Sequence, residues 1–264
     1  MRRALAGCLA LSVAAPPLGV FLVLRRMSLM SDVLQHGVLP GIALGAAVGG
    51  LSVWAMGAGG VLAGLVVALL AGWFARRTGM GEDSQLAGLY LVALAAGVAM
   101  ISAQHGVDLT HLLFGSVLAV DNTALLAMAG AATLTLPGLA VIWRPMVLES
   151  LDPGFPSGLG GVWHGCFLAL VVLCVVSGFE ALGTLMSVGL MMLPAIAARH
   201  WSGSLAGQVS VAVALAVAAS VLGLLISFNV EIPAGPAIVL TAGGFWVVSL
   251  LAGPREGLLR PRGG

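Results

Sequence analysis

Charged side chains are scarce in this sequence. Asp, Glu, Lys and Arg together make up 8% of its 264 residues, hydrophobic residues make up 60%, and every basic residue is an arginine. Soluble domains usually contain roughly 25% charged residues, so a soluble globular protein is excluded. The mean hydropathy is +1.11, and apolar runs long enough to cross a bilayer recur along the chain. The composition predicts an all-α, polytopic helical membrane protein.

Several kinds of site are also missing. The three cysteines, Cys8, Cys166 and Cys174, lie singly in apolar runs, which argues against a disulfide framework or a cysteine zinc cluster. The phosphate-binding pattern G-x-x-x-x-G-K-[ST] is absent, so the chain cannot supply ATP hydrolysis by itself. The H-E-x-x-H pattern of zinc enzymes is absent too. We therefore expect a protein that is not itself an enzyme and has no permanently bound cofactor or nucleic-acid partner.

Eight or nine membrane spans are predicted within a single domain that covers residues 1–264. The first of them contains Pro16 and Pro17, which are expected to kink or interrupt it. The candidate spans are 4–24, 30–51, 54–75, 86–102, 122–143, 162–178, 180–198, 206–228 and 236–252.

Arginines fall at alternate ends of these spans, and the positive-inside rule then gives an orientation. It places 76–85, 144–160, 199–205 and the C-terminal tail in the cytoplasm. Counting the spans backward from these segments places Arg25 and Arg26 in the cytoplasm as well. In the last two-thirds of the chain the opposite ends carry acidic residues and no arginine, whereas Arg2 and Arg3, placed outside by the same count, violate the rule.

The second candidate span contains one carboxylate and one imidazole, Asp32 and His36, four residues apart. On a helix this spacing places both side chains on one face. A carboxylate oxygen and an imidazole nitrogen together suit a divalent transition metal. Ionisable groups inside a span are costly, which favours a functional role. Asp32 and His36 are therefore the predicted metal ligands.

Glycine and proline follow this pair directly. Gly41, Gly45 and Gly49 recur at four-residue spacing, which is typical of close helix packing in membranes. Pro40, one turn beyond His36, would also free backbone carbonyls near the metal candidates, as in the interrupted helices of transporters. Close packing is the simpler interpretation of the glycines, and both remain open.

Five stretches occur in an order and register that resembles the permease subunits of zinc and manganese ABC importers. They are R-R-M-S-L-M-S-D-V-L-Q-H-G-V-L-P-G at 25–41, L-F-G-S-V-L-A-V at 113–120, D-P-G-F at 152–155, G-L-M-M-L-P-A-I-A-A-R at 189–199 and P-A-G-P-A-I-V-L at 233–240. The chain departs from the family pattern at Gln35, where Ser is frequent, at Ser116, where Asp is usual, and at Pro156, where Ala is usual.

This resemblance implies a homodimer in the lipid bilayer, a cytoplasmic ABC ATPase dimer and an extracytoplasmic metal-binding solute receptor. It implies that Asp32 and His36 line the metal pathway. It further implies that the segment at about 148–160 is a short cytoplasmic coupling helix that receives the ATPase stroke.

Other functions remain to be weighed against this one. An ion-gradient-driven secondary metal transporter would use the same intramembrane ligands without an ATPase, and a purely structural subunit would have no need of Asp32. Asp32 and His36 could bind zinc, manganese or iron, because an oxygen and a nitrogen donor suit all three. They favour zinc slightly, because nothing in the sequence supplies the many oxygen ligands that manganese prefers.

Overall fold

The computed structural model describes residues 2–28, 30–50, 52–79, 82–103, 121–151, 160–255 and 257. Within these ranges the chain forms ten α-helices and no strand, which confirms the predicted fold class. The helices are α1 (Arg2–Leu24), α2 (Met30–Gly37), α3 (Leu39–Gly49), α4 (Val53–Thr78), α5 (Glu82–Ala103), α6 (Asn122–Leu151), α7 (Gly160–Leu182), α8 (Thr184–Arg199), α9 (Leu205–Val230) and α10 (Ala234–Ala252).

Seven of these helices, in the part of the chain described, are long and apolar enough to cross a membrane. They are α1, α4, α5, α6, α7, α9 and α10; α8 is apolar but has only 16 residues. The predicted span at 30–51 is divided between α2 and α3. The boundary predicted near residue 179 lies instead at Gly183, whose φ of 87° favours glycine.

Helix α1 lies at the centre of the bundle and contacts α6, α7, α8 and α9. Its window of highest hydropathy is 72% buried, whereas those of α4 and α5 are 22% and 17% buried. Phe21 of α1 packs edge-on against Trp143 and Phe167, with ring centroids 5.1 and 6.1 Å away. Pro16 and Pro17 lie inside α1 without interrupting it. The apolar core is thus built around α1, while α4 and α5 expose much of their surface.

A tight turn connects α1 to α2. The amide of Met27 donates to the carbonyl of Leu22, and the amide of Arg26 donates to that of Val23, the pair of bonds that defines a Schellman motif. Arg26 occupies its left-handed position with φ 59°, where glycine is the usual residue. Met30 then begins α2, and its amide donates to the carbonyl of Met27. These bonds tie Met27 to the end of α1 and Met30 to Met27.

The second span breaks at Val38, which separates α2 from α3. The Val38 amide still donates to the carbonyl of Leu34, and the Val38 carbonyl still accepts from the amide of Ile42. Helical hydrogen bonds therefore continue on both sides of the break. Pro40 has no N–H, and therefore the carbonyl of His36 lacks the donor that a continuous helix would provide four residues later. The break thus frees an oxygen at the same residue that carries the predicted imidazole ligand.

Contacts join chain ends that the orientation places on one side of the membrane. Arg25, after α1, reaches Glu149 and Ser150 at the end of α6 and His164 near the start of α7. The amide of Arg255 donates to the carbonyl of His200, which joins the ends of α10 and α8.

The segment predicted at about 148–160 is described only at its two ends. Residues 148–151 continue α6, and Gly160 begins α7. Both helices therefore extend beyond the predicted spans 122–143 and 162–178. Residues 152–159, with Pro156, and the stretch 113–120, with Ser116, lie outside the described residues.

Glycines bring α3 and α4 into backbone contact. A Cβ placed on Gly41 would lie 2.1 Å from the carbonyl oxygen of Gly59, and one on Gly59 would lie equally close to the oxygen of Gly41. A Cβ on Gly45 would lie 2.3 Å from the oxygen of Ala55. Close packing is therefore a sufficient reason for these glycines, as the four-residue spacing predicts.

We expect Gly41→Ala to lower the free energy of unfolding by about 1–3 kcal/mol, because the added methyl forces α3 and α4 apart. The thermal unfolding midpoint in detergent measures this change. Gly88→Ala is the matched control, because Gly88 is an exposed residue of α5 whose Cβ would meet nothing within 4 Å. Equal midpoints for the two variants would contradict the packing argument.

Candidate metal site on the broken helix

The short helix α2 is held inside the bundle by its apolar side chains. It contacts α4, α5, α7 and α8, and its residues Met30 and Leu34 are fully buried. Val38, at the break, is buried as well. These three residues recur every four positions and form the face that fixes the rotation of α2. The neighbouring face, which carries Asp32 and His36, is turned away from this core.

Asp32 and His36 lie together on that open face. His36 Nε2 is 3.8 Å from Asp32 Oδ1, and the side chains are 26% and 58% exposed, respectively. Two bonds of about 2.1 Å from a single ion place their donor atoms roughly 3–4 Å apart. The observed separation therefore allows both atoms to bind one ion with little movement. The structure brings the two sequence-predicted ligands together.

The ring of His36 is held from one side. It packs against the ring of Tyr90 on α5, with centroids 5.9 Å apart and planes inclined by 41°. Its Nδ1 is buried and has no hydrogen-bond partner among the described residues. The exposed part of the imidazole is therefore the Nε2 edge, which faces Asp32. Tyr90 was not singled out by the sequence, because nothing in the local pattern shows that α5 crosses α2 here.

The pair does not form a complete metal cage. Within the described ranges, no group of three or more His, Cys, Asp or Glu side chains could hold a metal ion. The carbonyl of His36, which lacks its usual donor because of Pro40, is the nearest additional oxygen by sequence. Zinc typically takes four ligands and manganese about six, so these two side chains alone cannot saturate either ion.

A second polar pair lies one residue earlier on α2. Ser31 and Gln35 are four residues apart and are 0% and 1% exposed. Ser31 Oγ and Gln35 Nε2 have no hydrogen-bond partner among the described residues. Unpaired polar atoms in a core are costly and rare. The four-residue spacing could have revealed this pair, but the sequence does not show that its face is the buried one.

One further carboxylate lies within the membrane bundle, at Glu180 near the end of α7. Its Oε1 is buried without a hydrogen-bond partner in the described part of the chain, and the carboxylate lies against Gly57 of α4. It borders a largely apolar cavity of about 470 Å³ between α4, α6 and α7. Glu180 forms no three-ligand group with Asp32 and His36, so it is a separate feature.

Comparison with known proteins covers almost the whole chain. The ABC 3 transport family matches residues 1–253. The manganese import system permease protein ScaB of Streptococcus parasanguinis is 30% identical over 260 residues, which are 97% of this chain and 91% of that protein. A probable iron transport system membrane protein of Haemophilus influenzae is 28% identical over 254 residues, 95% of this chain and 92% of that protein.

A solved structure has the same fold. The structure of PsaBC from Streptococcus pneumoniae in complex with Fab aligns with a TM-score of 0.84 and 29% identity. The alignment covers 97% of this chain and 92% of that chain.

We expect Gln35→Met to raise the free energy of unfolding by about 1 kcal/mol, because it replaces an unpaired buried amide by an apolar group of similar size. The thermal unfolding midpoint in detergent tests this. Gln208→Met is the control and should lower the midpoint, since Gln208 Nε2 donates to the carbonyl of Ser202 at 3.0 Å. A lower midpoint for Gln35→Met would mean that the Gln35 amide has a partner, such as a buried water.

Proposed function

The chain belongs to the ABC 3 transport family, and from that premise we propose that it carries manganese across the membrane past Asp32 and His36. It is the permease subunit of an ATP-dependent importer of divalent transition-metal ions, and a multi-pass protein of the bacterial cytoplasmic membrane. Family membership favours this function over a secondary transporter driven by an ion gradient. ATP hydrolysis belongs to a separate subunit of such importers.

The observation that carries the site assignment is the exposed, closely spaced pair on α2. Asp32 Oδ1 and His36 Nε2 are 3.8 Å apart on a short helix that is otherwise buried. Asp32 contributes a negative charge that attracts a dication. His36 contributes a nitrogen that binds metal in its neutral form. The residues of α2 that fix its rotation keep both groups at the open face.

The small number of ligands suits transport. A complete cage of four to six protein donors would hold the ion too tightly for release. With two side chains and the carbonyl of His36, the chain offers a site that an ion can enter and leave. Water or a second copy of the chain supplies the remaining donors. In a homodimer, two such sites would face a shared path.

Manganese is favoured over zinc for two reasons. The carboxylate of Asp32 and the carbonyl of His36 are oxygen donors, which manganese prefers, and they outnumber the single imidazole. The similar protein ScaB is described as part of a manganese import system, and MntC of Halalkalibacterium halodurans as part of a manganese transport system, although the Haemophilus influenzae relative is described as a probable iron transport protein. The sequence alone favours zinc slightly, and the relatives described as manganese transporters reverse that preference here.

The partners follow from the same assignment. An ABC ATPase dimer would dock on the cytoplasmic side, where the arginines and the ends of α6 and α7 lie. An extracytoplasmic solute receptor would deliver the metal at the opposite side. The structural relative is named for two components, PsaBC, which supports a permease that works with another subunit.

Asp32→Ala and His36→Ala should each reduce ATP-dependent metal uptake to background, because one side-chain donor and the carbonyl of residue 36 are too few to hold the dication in the path. Uptake is measured in vesicles that contain the permease and its ATPase, and copurification of the ATPase verifies assembly. Asp121→Asn is the control: Asp121 Oδ1 accepts from the amide of Ala124 at the start of α6, and asparagine also caps helices. Normal uptake by both site variants would overturn the assignment.

Direct uptake of manganese, zinc and ferrous ions into the same vesicles, measured by elemental analysis, decides the cargo. We expect manganese to accumulate faster than zinc at equal free concentration. An equal or faster rate for zinc would refute manganese as the preferred cargo, while the permease assignment would stand.

A further inference from the structure

Arg25 lies directly after α1, shortly before α2. It is the last residue before the left-handed Arg26 in the Schellman motif, and its amide donates to the carbonyl of Phe21. The helix that carries Asp32 and His36 begins at Met30, after a short turn closed by the hydrogen bond between Met30 and Met27. Hydrogen bonds thus run from the end of α1 to Met27 and from Met27 to the start of α2.

The guanidinium of Arg25 makes polar contacts with two other helices. Its Nη2 is 2.9 Å from Glu149 Oε2, its Nε donates to Ser150 Oγ at 3.4 Å, and its Nη1 is 2.6 Å from His164 Nδ1. Its Cζ also lies 5.9 Å from the ring centre of Phe167. The side chain of Arg25 is only 9% exposed, so these contacts replace most of its hydration.

These partners lie on both arms of one cytoplasmic connection. Glu149 and Ser150 are in the last turn of α6, and His164 is in the second turn of α7. Residues 152–159 connect the two helices. One side chain therefore binds the helix that leads into this connection and the helix that leads out of it. Ser150 is itself held to α6 by its bond to the carbonyl of Met146.

We propose that Arg25 is the positioning residue that transmits displacement of the α6 and α7 ends to the Asp32–His36 helix. The inference rests on the proposed function, in which an ATPase acts on the connection between α6 and α7. When that connection moves, Glu149 and His164 pull on the guanidinium, and the hydrogen-bonded turn after α1 passes the motion to α2. The metal ligands then shift relative to Tyr90 and the rest of the path.

Arginine suits this role better than lysine. The planar guanidinium bonds Ser150 through Nε and His164 through Nη1 while its Nη2 lies within ion-pair distance of Glu149, whereas a lysine ammonium is a single point on a flexible stem. For the contact with Arg25, His164 must accept through Nδ1, so its ring proton is on Nε2. A charged group this strongly buried also needs all its partners, because an unpaired charge in such a place is costly.

Arg25→Lys should uncouple ATP hydrolysis from transport. In vesicles that contain the permease with its ATPase, we expect metal uptake per ATP hydrolysed to fall about tenfold, the size of a typical coupling between distant sites, while ATP hydrolysis continues. A purely structural role would instead lower uptake and hydrolysis together. An unchanged ratio of uptake to hydrolysis would overturn the proposal.

Arg26→Lys is the matched control. Arg26 is the next residue, is exposed, and makes no ion pair in the described part of the chain, so the same substitution should leave the ratio unchanged. A fall in the ratio as large as that of Arg25→Lys would refute the specific role of Arg25.

A second variant keeps the test decisive if Arg25→Lys does not assemble. Glu149→Gln keeps the size of the side chain but removes the charge that pairs with Arg25, and we expect it to lower the ratio about threefold. A wild-type ratio in Glu149→Gln would overturn the proposal. Failure of the proposed function would look different, because the wild-type complex itself would then show no ATP-dependent metal uptake.

Discussion

The proline one turn beyond His36 is the constraint on which the site depends. A continuous transmembrane helix satisfies every backbone carbonyl internally and offers none to an ion. Pro40 removes one donor, and the span divides into α2 and α3 at Val38. A free backbone oxygen thereby comes to lie at the residue that also provides the imidazole. In the proposed site the side chain of Asp32 supplies the charge. Because α2 is short and separate from α3, buried Met30 and Leu34 set the orientation of α2.

A broken span must be supported by its neighbours, and here glycine makes that possible. Gly41 and Gly59 allow the backbones of α3 and α4 to touch, and Gly97 of α5 leaves room for Leu39 and Pro40 at the break itself. Close approach adds van der Waals contact where lipid gives no hydrophobic drive for helix association. The membrane-crossing windows of α4 and α5 are mostly exposed in the single chain. Asp32 and His36 likewise lie on an open face, with side chains 58% and 26% exposed.

Much of this arrangement could be predicted from the sequence, and the failures have physical causes. Apolar runs give the positions of the long helices because the bilayer sets their length, and the four-residue spacing of Asp32 and His36 gives their shared face. Pro16 and Pro17 do not interrupt α1, because neighbouring helices surround it on most sides. The buried state of Gln35, the ring of Tyr90 beside His36 and the partners of Arg25 depend on contacts across 50 to 140 residues of chain. No local pattern encodes which helix crosses which, so these features required the structure.

The left-handed arginine at the end of α1 has a consequence for how the protein enters the membrane. A non-glycine residue in this conformation costs about 1–2 kcal/mol in the folded state, and glycine would adopt it freely. Glycine would, however, remove one of the two arginines that the positive-inside prediction places at the cytoplasmic end of α1, opposite Arg2 and Arg3 at its other end. On that prediction, loss of Arg26 would tilt an even balance of arginines toward the inverted orientation during synthesis, before α6 and α7 have emerged from the ribosome.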